Sequence, residues 1–229
     1  MPAPAVVDGP GRFRAEETLS ERAYIAIEEM IMTAELPPNA FISETTLSDD
    51  LGIGRTPVRE ALKRLESDGL VDIVPSRGIL ITEVDLKQQL MVLEVRGVLE
   101  RLVAMRAARH ADAHERKRFV AIAAGMERAA AAGDGEQFMR YDQEFNRLLD
   151  HAARNPVATK SMRPLRSMSR RFWFQNYARQ QESLALGSRT HAAVMRAVAS
   201  GDAEAAGRAM DELMSYVVSF ARSTLSEFE

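Results

Sequence analysis

The sequence predicts a mainly α protein: a winged helix-turn-helix followed by an all-helical bundle of about six helices. Three observations predict it. Between Leu47 and Gly78, two short helical patterns flank the turn Gly52-Ile53-Gly54, and a hairpin pattern follows at once. Beyond Asp85 no strand pattern recurs, and apolar residues return at helical spacing almost to the end. The change of pattern falls at residues 82–86. It divides the chain into an N-terminal arm (1–15), a winged helix-turn-helix (16–83) and a helical domain (84–229).

The arm, MPAPAVVDGPGRFR, lacks the basic start and apolar stretch of a signal peptide and reads as flexible, with Arg12 and Arg14 available near an anionic partner. Glu21–Ala34 reads as the first helix, capped by Ser20, with Tyr24, Ile27, Met30 and Ile31 inward. Leu36-Pro37-Pro38-Asn39 breaks it. Ser43 caps a second helix that carries Leu47 and Leu51. In the third, Thr56 serves as cap and Pro57 as first residue, and Val58, Ala61, Leu62 and Leu65 form one buried face. Gly69 stops it. Val71–Val74 and Ile79–Thr82 then read as strands joined by Pro75-Ser76-Arg77-Gly78.

Arg55 and Arg59 lie off the buried face of the third helix, near its N-terminus. A helix end of this kind enters the major groove of double-stranded DNA, where a guanidinium bonds guanine O6 and N7 together. The helix dipole favours anions at that end, so two arginines there point to an anionic partner outside the protein. Thr56 suits a phosphate oxygen, and Arg77 at the hairpin tip reaches a groove or the backbone. Overall charge lends no support. The chain carries a net charge of −3, and residues 1–83 hold eight Lys/Arg against fifteen Asp/Glu. Specificity must come from where the arginines stand, and non-specific binding should be weak.

The run GRTPVREALKRLESDGLV followed by PSRG resembles the DNA-binding domain of the GntR family of bacterial transcription regulators. The resemblance implies that Arg55, Thr56 and Arg59 read DNA, with Ser76, Arg77 and Gly78 in the wing. Many relatives carry an acidic-arginine pair at the start of the preceding helix. Here that place reads Glu44-Thr45, which leaves Thr45 as the candidate contact.

The helical half is expected to contain helices from Asp85 to Arg109, Ala113 to Ala132, Glu136 to Ala153, Pro156 to Arg179 (bent or interrupted at Pro164), Ser188 to Ala199, and Asp202 to Leu225. Several polar residues occupy apolar stripes. Asp142 shares one with Phe138, Phe145 and Leu149, and Asn146 follows one turn later. Arg96 lies with Val92, Leu99 and Val103, and His191 with Val194, Met195 and Val198. A buried charge costs several kcal/mol unless paired, so polar groups inside a bundle suggest a ligand pocket. Each also has a plainer reading: Arg96 and Glu100 as a structural i, i+4 pair, His191 as a core histidine. Arg166, Arg170 and Arg171 read as a mostly solvated face, one of which turns inward to meet an anion.

The runs VLEVRGVLERLVAMRAAR, DQEFNRLLDHAARNP and THAAVMRAVASGDAEAAGRAM resemble the helical effector-binding (FCD-type) domain of the FadR branch of that family. The resemblance implies a small organic-acid effector, contacted by Arg96, Asp142, Asn146, His191 and Arg170. It also implies a metal held by an Asp, a His four residues on, and two later His. Asp142 and His191 match two of these positions, while Asn146 and Leu213 stand at the others. The expected site is therefore degenerate, with no tightly bound metal and no other cofactor.

With no cysteine, disulfides and thiolate metal sites are excluded. No apolar run is long enough to span a bilayer. The expectation is a cytoplasmic homodimer, a repressor on a short inverted repeat, rather than a membrane protein. Two alternatives stay open: a DNA-binding dimer without effector, and an enzyme built on an Asp142–His191 pair. No nucleophile motif or phosphate loop supports the latter.

Overall fold

The computed structural model describes residues 18–83, 85–176 and 182–224. The expected N-terminal arm lies outside the described residues, as does the expected helix end at Leu225. The first half contains α1 (Leu19–Met32), β1 (Phe41–Ile42), α2 (Glu44–Leu51), α3 (Arg55–Ser67), β2 (Val71–Val74) and β3 (Gly78–Ile81). The strands form one antiparallel sheet in the order β1-β3-β2. Val71 stands opposite Ile81 and Val74 opposite Gly78, which places the hairpin turn at 75–77. The second half contains α4 (Leu86–His110), α5 (Ala113–Ala131), α6 (Gly135–Ala153), α7 (Pro156–Asn176), α8 (Glu182–Ser200) and α9 (Ala203–Ser223).

Buried apolar residues fall into two clusters. One joins Ile27, Leu47, Val58, Leu62, Leu65 and Ile81, so α1, α2 and α3 pack against the sheet. The other joins Phe119, Phe145, Leu149, Met195 and Met210 in the helical bundle. The apolar stripe of α3 is fully inward as expected: Val58, Ala61, Leu62 and Leu65 are all buried.

Several local expectations are corrected. Thr18, not Ser20, caps α1, accepting a bond from the Glu21 amide. Gly54 stands at the N-cap of α3, so Thr56 is not the cap and Pro57 is the third helical residue. Pro is tolerated there because the first four amides of a helix lack intrahelical partners. β1 was not expected. Phe41 and Ile42 pair with Leu80 and Ile79, and two residues are too few to show a period. α8 begins at Glu182, earlier than Ser188. Pro164 does not interrupt α7, which runs unbroken from Pro156 to Asn176.

Gly78 is required by the wing. Its φ is +106°, and a Cβ there would meet the Ile42 carbonyl oxygen at 2.8 Å, so any side chain would push β1 off the sheet.

Candidate functional site

The surface suited to DNA is built by α2, α3 and the wing. Gly52 ends α2 in the left-handed conformation (φ +61°), and Ser48 Oγ holds the Ile53 carbonyl at 2.6 Å. This tight turn projects the start of α3 outward, leaving Arg55, Thr56 and Arg59 exposed. Thr45 is exposed on α2, and Ser76 and Arg77 at the wing tip. Ser76 adopts φ +62°, and the Arg77 guanidinium lies 5.9 Å over the Phe41 ring. β1 thus supplies a platform for the wing arginine, a role the sequence alone did not disclose.

Arg59 has an internal partner. Its Nε and Nη2 donate to the two carboxylate oxygens of Glu44 at 3.0 and 2.7 Å. Arg59, unlike Arg55, therefore does not need an external anion, contrary to the expectation for both arginines at this helix end. Glu44 orients its guanidinium, and this pairing reaches across fifteen residues and a turn, beyond any helical spacing rule.

The second site is a cavity of about 350 Å³ in the helical half. It sits in the lower part of the range for small-molecule pockets. Its charged end gathers Asp142 and Asn146 from α6, Arg96 from α4, Arg170 from α7 and His191 from α8. These are the five residues the sequence singled out, and the fold brings them to one wall. Its apolar end is lined by Phe138, Met139, Trp173 and Val217. Trp173 stacks on Phe138 at 5.5 Å.

Asp142 Oδ1 lies 3.1 Å from His191 Nε2, and Asn146 Nδ2 donates to Asp142 Oδ2 at 3.1 Å. The other imidazole nitrogen, Nδ1, lies 2.7 Å from the Gly187 carbonyl oxygen. Each ring nitrogen thus faces an oxygen acceptor. Phe138 and Phe145 pack edge-on against that ring, each at 5.8 Å. Burial alone would push the Asp142 carboxyl up. The His191 hydrogen bond and charge, with Arg96 and Arg170, outweigh it and hold the pKa below the ordinary value. Asp142 is therefore a carboxylate in a positive surround.

Arg96 has two allegiances. It lines the cavity, yet its Nε donates to Glu100 at 3.0 Å, so the structural pair and the pocket role coexist. Glu100 is buried and also receives Arg166 on both oxygens, at 2.9 and 2.7 Å. Arg166 reaches Asp150 at 2.8 Å. The expected solvated face of α7 does not exist. Arg166 and Arg170 are largely buried and Arg171 is 2% exposed, because α7 lies between the bundle and the winged half. Arg171 donates to the Thr82 carbonyl and hydroxyl at the end of the sheet.

The residues do not fit the metal that the resemblance implies. Asn146 is engaged with Asp142, and Leu213 is buried in the apolar core. Asp142 and His191 spend their donor atoms on each other, and two ligands fall short of the three or four that zinc takes. Among the described residues no group of three or more His, Cys, Asp or Glu is placed to hold a metal ion.

Comparison with known proteins agrees with this fold. Residues 11–81 match the profile of the bacterial regulatory proteins of the gntR family, and residues 91–216 that of the FCD domain. An uncharacterised HTH-type transcriptional regulator in an unstable DNA locus of Streptomyces ambofaciens is 42% identical over 62 residues, 27% of this chain. The chain thus spans about a quarter (26%) of that relative's length. The HTH-type transcriptional repressor RspR of Escherichia coli K12 is 24% identical over 86% of both chains. Among solved structures, E. coli McbR/YncC superposes with a TM-score of 0.80 at 20% identity, covering 91% of this chain and 99% of that one. These relatives are transcriptional regulators by name.

Proposed function

We propose, from the premise that this chain belongs to the gntR family of bacterial regulatory proteins and carries an FCD domain, that it is a cytoplasmic repressor whose operator binding is controlled by a small organic acid. The cavity carries this reading. It sets Arg96 and Arg170, with His191, around the Asp142 carboxylate and adds an aromatic end at Phe138 and Trp173. A carboxylate bearing a short apolar or aromatic body matches both ends. Arg55 and Arg59 read base edges, Thr45 and Thr56 contact phosphates, and Ser76, Arg77 and Gly78 form the wing contact.

The partner on DNA is a second copy. Along α4, Met91, Val95, Val98 and Leu102 are exposed at 61%, 53%, 72% and 44%. Their 4-3-4 spacing is that of a coiled-coil seam, and a two-fold axis along α4 would lay this stripe on itself. The dimer then meets two half-sites of an inverted repeat.

The test uses Trp173, the only tryptophan in the chain. Short carboxylic acids titrated into the protein should change its fluorescence saturably, and the same acids should release an operator selected from a random duplex pool. Operator binding with no acid response would leave an effector-independent DNA-binding dimer.

A further inference from the structure

The cavity is not confined to the helical half. Tyr24, Ile25 and Glu28 of α1 line it together with Asp142, Arg170 and Trp173. The winged half thus supplies one wall. Two stripes meet there: Arg163, Ser167 and Arg170 on α7, and Glu21, Tyr24 and Glu28 on α1. Arg163 lies 3.9 Å from the Glu21 carboxylate and its guanidinium 5.2 Å over the Tyr24 ring. Ser167 Oγ donates to Glu28 Oε1. Arg170 Nη2 lies 3.2 Å from Glu28 Oε2.

Arg170 is only half used by that partner. A carboxylate grips a guanidinium best along one edge, with each oxygen on its own N–H. Glu28 holds the Nη2 end of such an edge, while the buried Nε has no hydrogen-bond partner. The same guanidinium belongs to the positive wall around Asp142.

We propose that an anionic effector in the cavity takes Arg170 from Glu28 by gripping its Nε–Nη2 edge, and that this exchange loosens α1 from α7. Glu28, a residue of the DNA-binding half, is then the competitor that the effector displaces. The inference rests on the cavity being the effector site. Coupling between sites is reciprocal: if the anion weakens the Glu28–Arg170 contact, removing that contact strengthens anion binding by the same factor.

The test uses the full chain, benzoate as probe, and Trp173 fluorescence as readout. Benzoate carries a carboxylate for Arg170 and a ring for the Phe138–Trp173 end. Glu28→Gln should bind it at least about fivefold more tightly than the wild type. Ser167→Ala, which frees Glu28 from its other hold, should shift affinity the same way by less, and carries the test if Glu28→Gln fails to fold. Benzamide, which lacks the charge, should not distinguish the proteins. Hydrogen exchange adds the mechanical readout: benzoate should raise exchange at residues 28–32 of the wild type, while the Glu28→Gln variant exchanges fast there without it. Equal benzoate affinity, or unchanged exchange at saturation, overturns the competition and leaves the cavity as effector site. No Trp173 response in any protein, to benzoate or to straight-chain monocarboxylates, overturns the cavity reading and the competition with it.

Discussion

Two carboxylates in the same buried cluster should differ sharply in what they contribute. Glu100 is 1% exposed and meets Arg96 and Arg166 with both oxygens. Burial pushes its pKa up, but Arg166 and then Arg96 outweigh it and pull the pKa from 4.5 to about 2. At about 1.4 kcal/mol per unit, this corresponds to about 3 kcal/mol favouring the folded, charged form. Breaking a buried pair from one side costs about 3–5 kcal/mol. Glu100→Gln keeps the shape but turns amide donors toward guanidinium donors. Because Arg166 retains Asp150, the lower end applies, about 3 kcal/mol. For a chain of this length that is a loss of about 6–12 °C in Tm. Asp150 stands differently. Its Oδ1 is buried without a hydrogen-bond partner, and burial, aided by Glu100, raises its pKa despite Arg166. Asp150→Asn should therefore cost about 1 kcal/mol or less. Urea unfolding at pH 7 with both variants decides the matter, and equal losses would refute the reasoning. The pH dependence has a defined sign. A depressed carboxyl pKa contributes stability that is complete above about 4.5 and lost as pH falls toward 2, so the wild type should weaken across that window and Glu100→Gln should not follow it as steeply.

Three further outcomes are expected. Arg59→Ala should weaken specific operator binding about tenfold or more in a gel shift at fixed salt, while Glu44→Gln, which leaves the charge but removes its orienting partner, should relax specificity more than affinity; wild-type behaviour in both would sink the recognition assignment. Val98→Glu, on the exposed seam of α4, should leave the helical content nearly unchanged but give a monomer in analytical ultracentrifugation, and a persistent dimer would place the interface elsewhere. Elemental analysis of protein purified without chelator should find well under one transition metal per chain, and stoichiometric zinc would mean that another donor completes the shell around Asp142 and His191.

What could be read from the sequence was local. The α3 stripe Val58-Ala61-Leu62-Leu65 lies on one face of a helical wheel, and its burial follows from spacing alone. Asp142, Arg96 and His191 stood out for a related reason: each interrupts an apolar stripe, so packing the stripe must carry the polar group inward. The rest needed contacts between distant segments. Arg166, Arg170 and Arg171 have the look of a solvated basic face, but Glu100 and Asp150 meet Arg166, Glu28 of α1 meets Arg170, and Thr82 at the end of the sheet meets Arg171. Glu44 and Arg59 meet across a turn. Phe41-Ile42 is a strand only because β3 lies beside it, with Gly78 leaving room for the Ile42 carbonyl. Local propensity also misassigned two N-caps, where serine or threonine side chains stand within one or two residues of the true cap.

The placement of α1 explains how one cavity can concern a surface at the far side of the winged half. Tyr24 is 2% exposed, and its hydroxyl donates to Asp68, just past the end of α3, at 2.8 Å. Its ring lies 4.4 Å from the Arg64 guanidinium of α3 on one side and 5.2 Å from that of Arg163 of α7 on the other. Arg64 also reaches Glu21 at 2.8 Å. α3 is thus fastened to α1 at its C-terminal end, away from the arginines proposed to face DNA, and α1 is fastened to the cavity wall. A shift of α1 relative to α7 carries α3 with it, because the contacts joining α1 to α3 enclose the buried core of Ile27, Leu62 and Leu65. The α1–α7 contacts are of another kind: charged and polar groups beside a cavity, with one guanidinium nitrogen left unpaired. An apolar core resists sliding, whereas a polar contact beside a ligand site can exchange partners. The boundary expected to yield first is therefore the one that the proposed effector would touch.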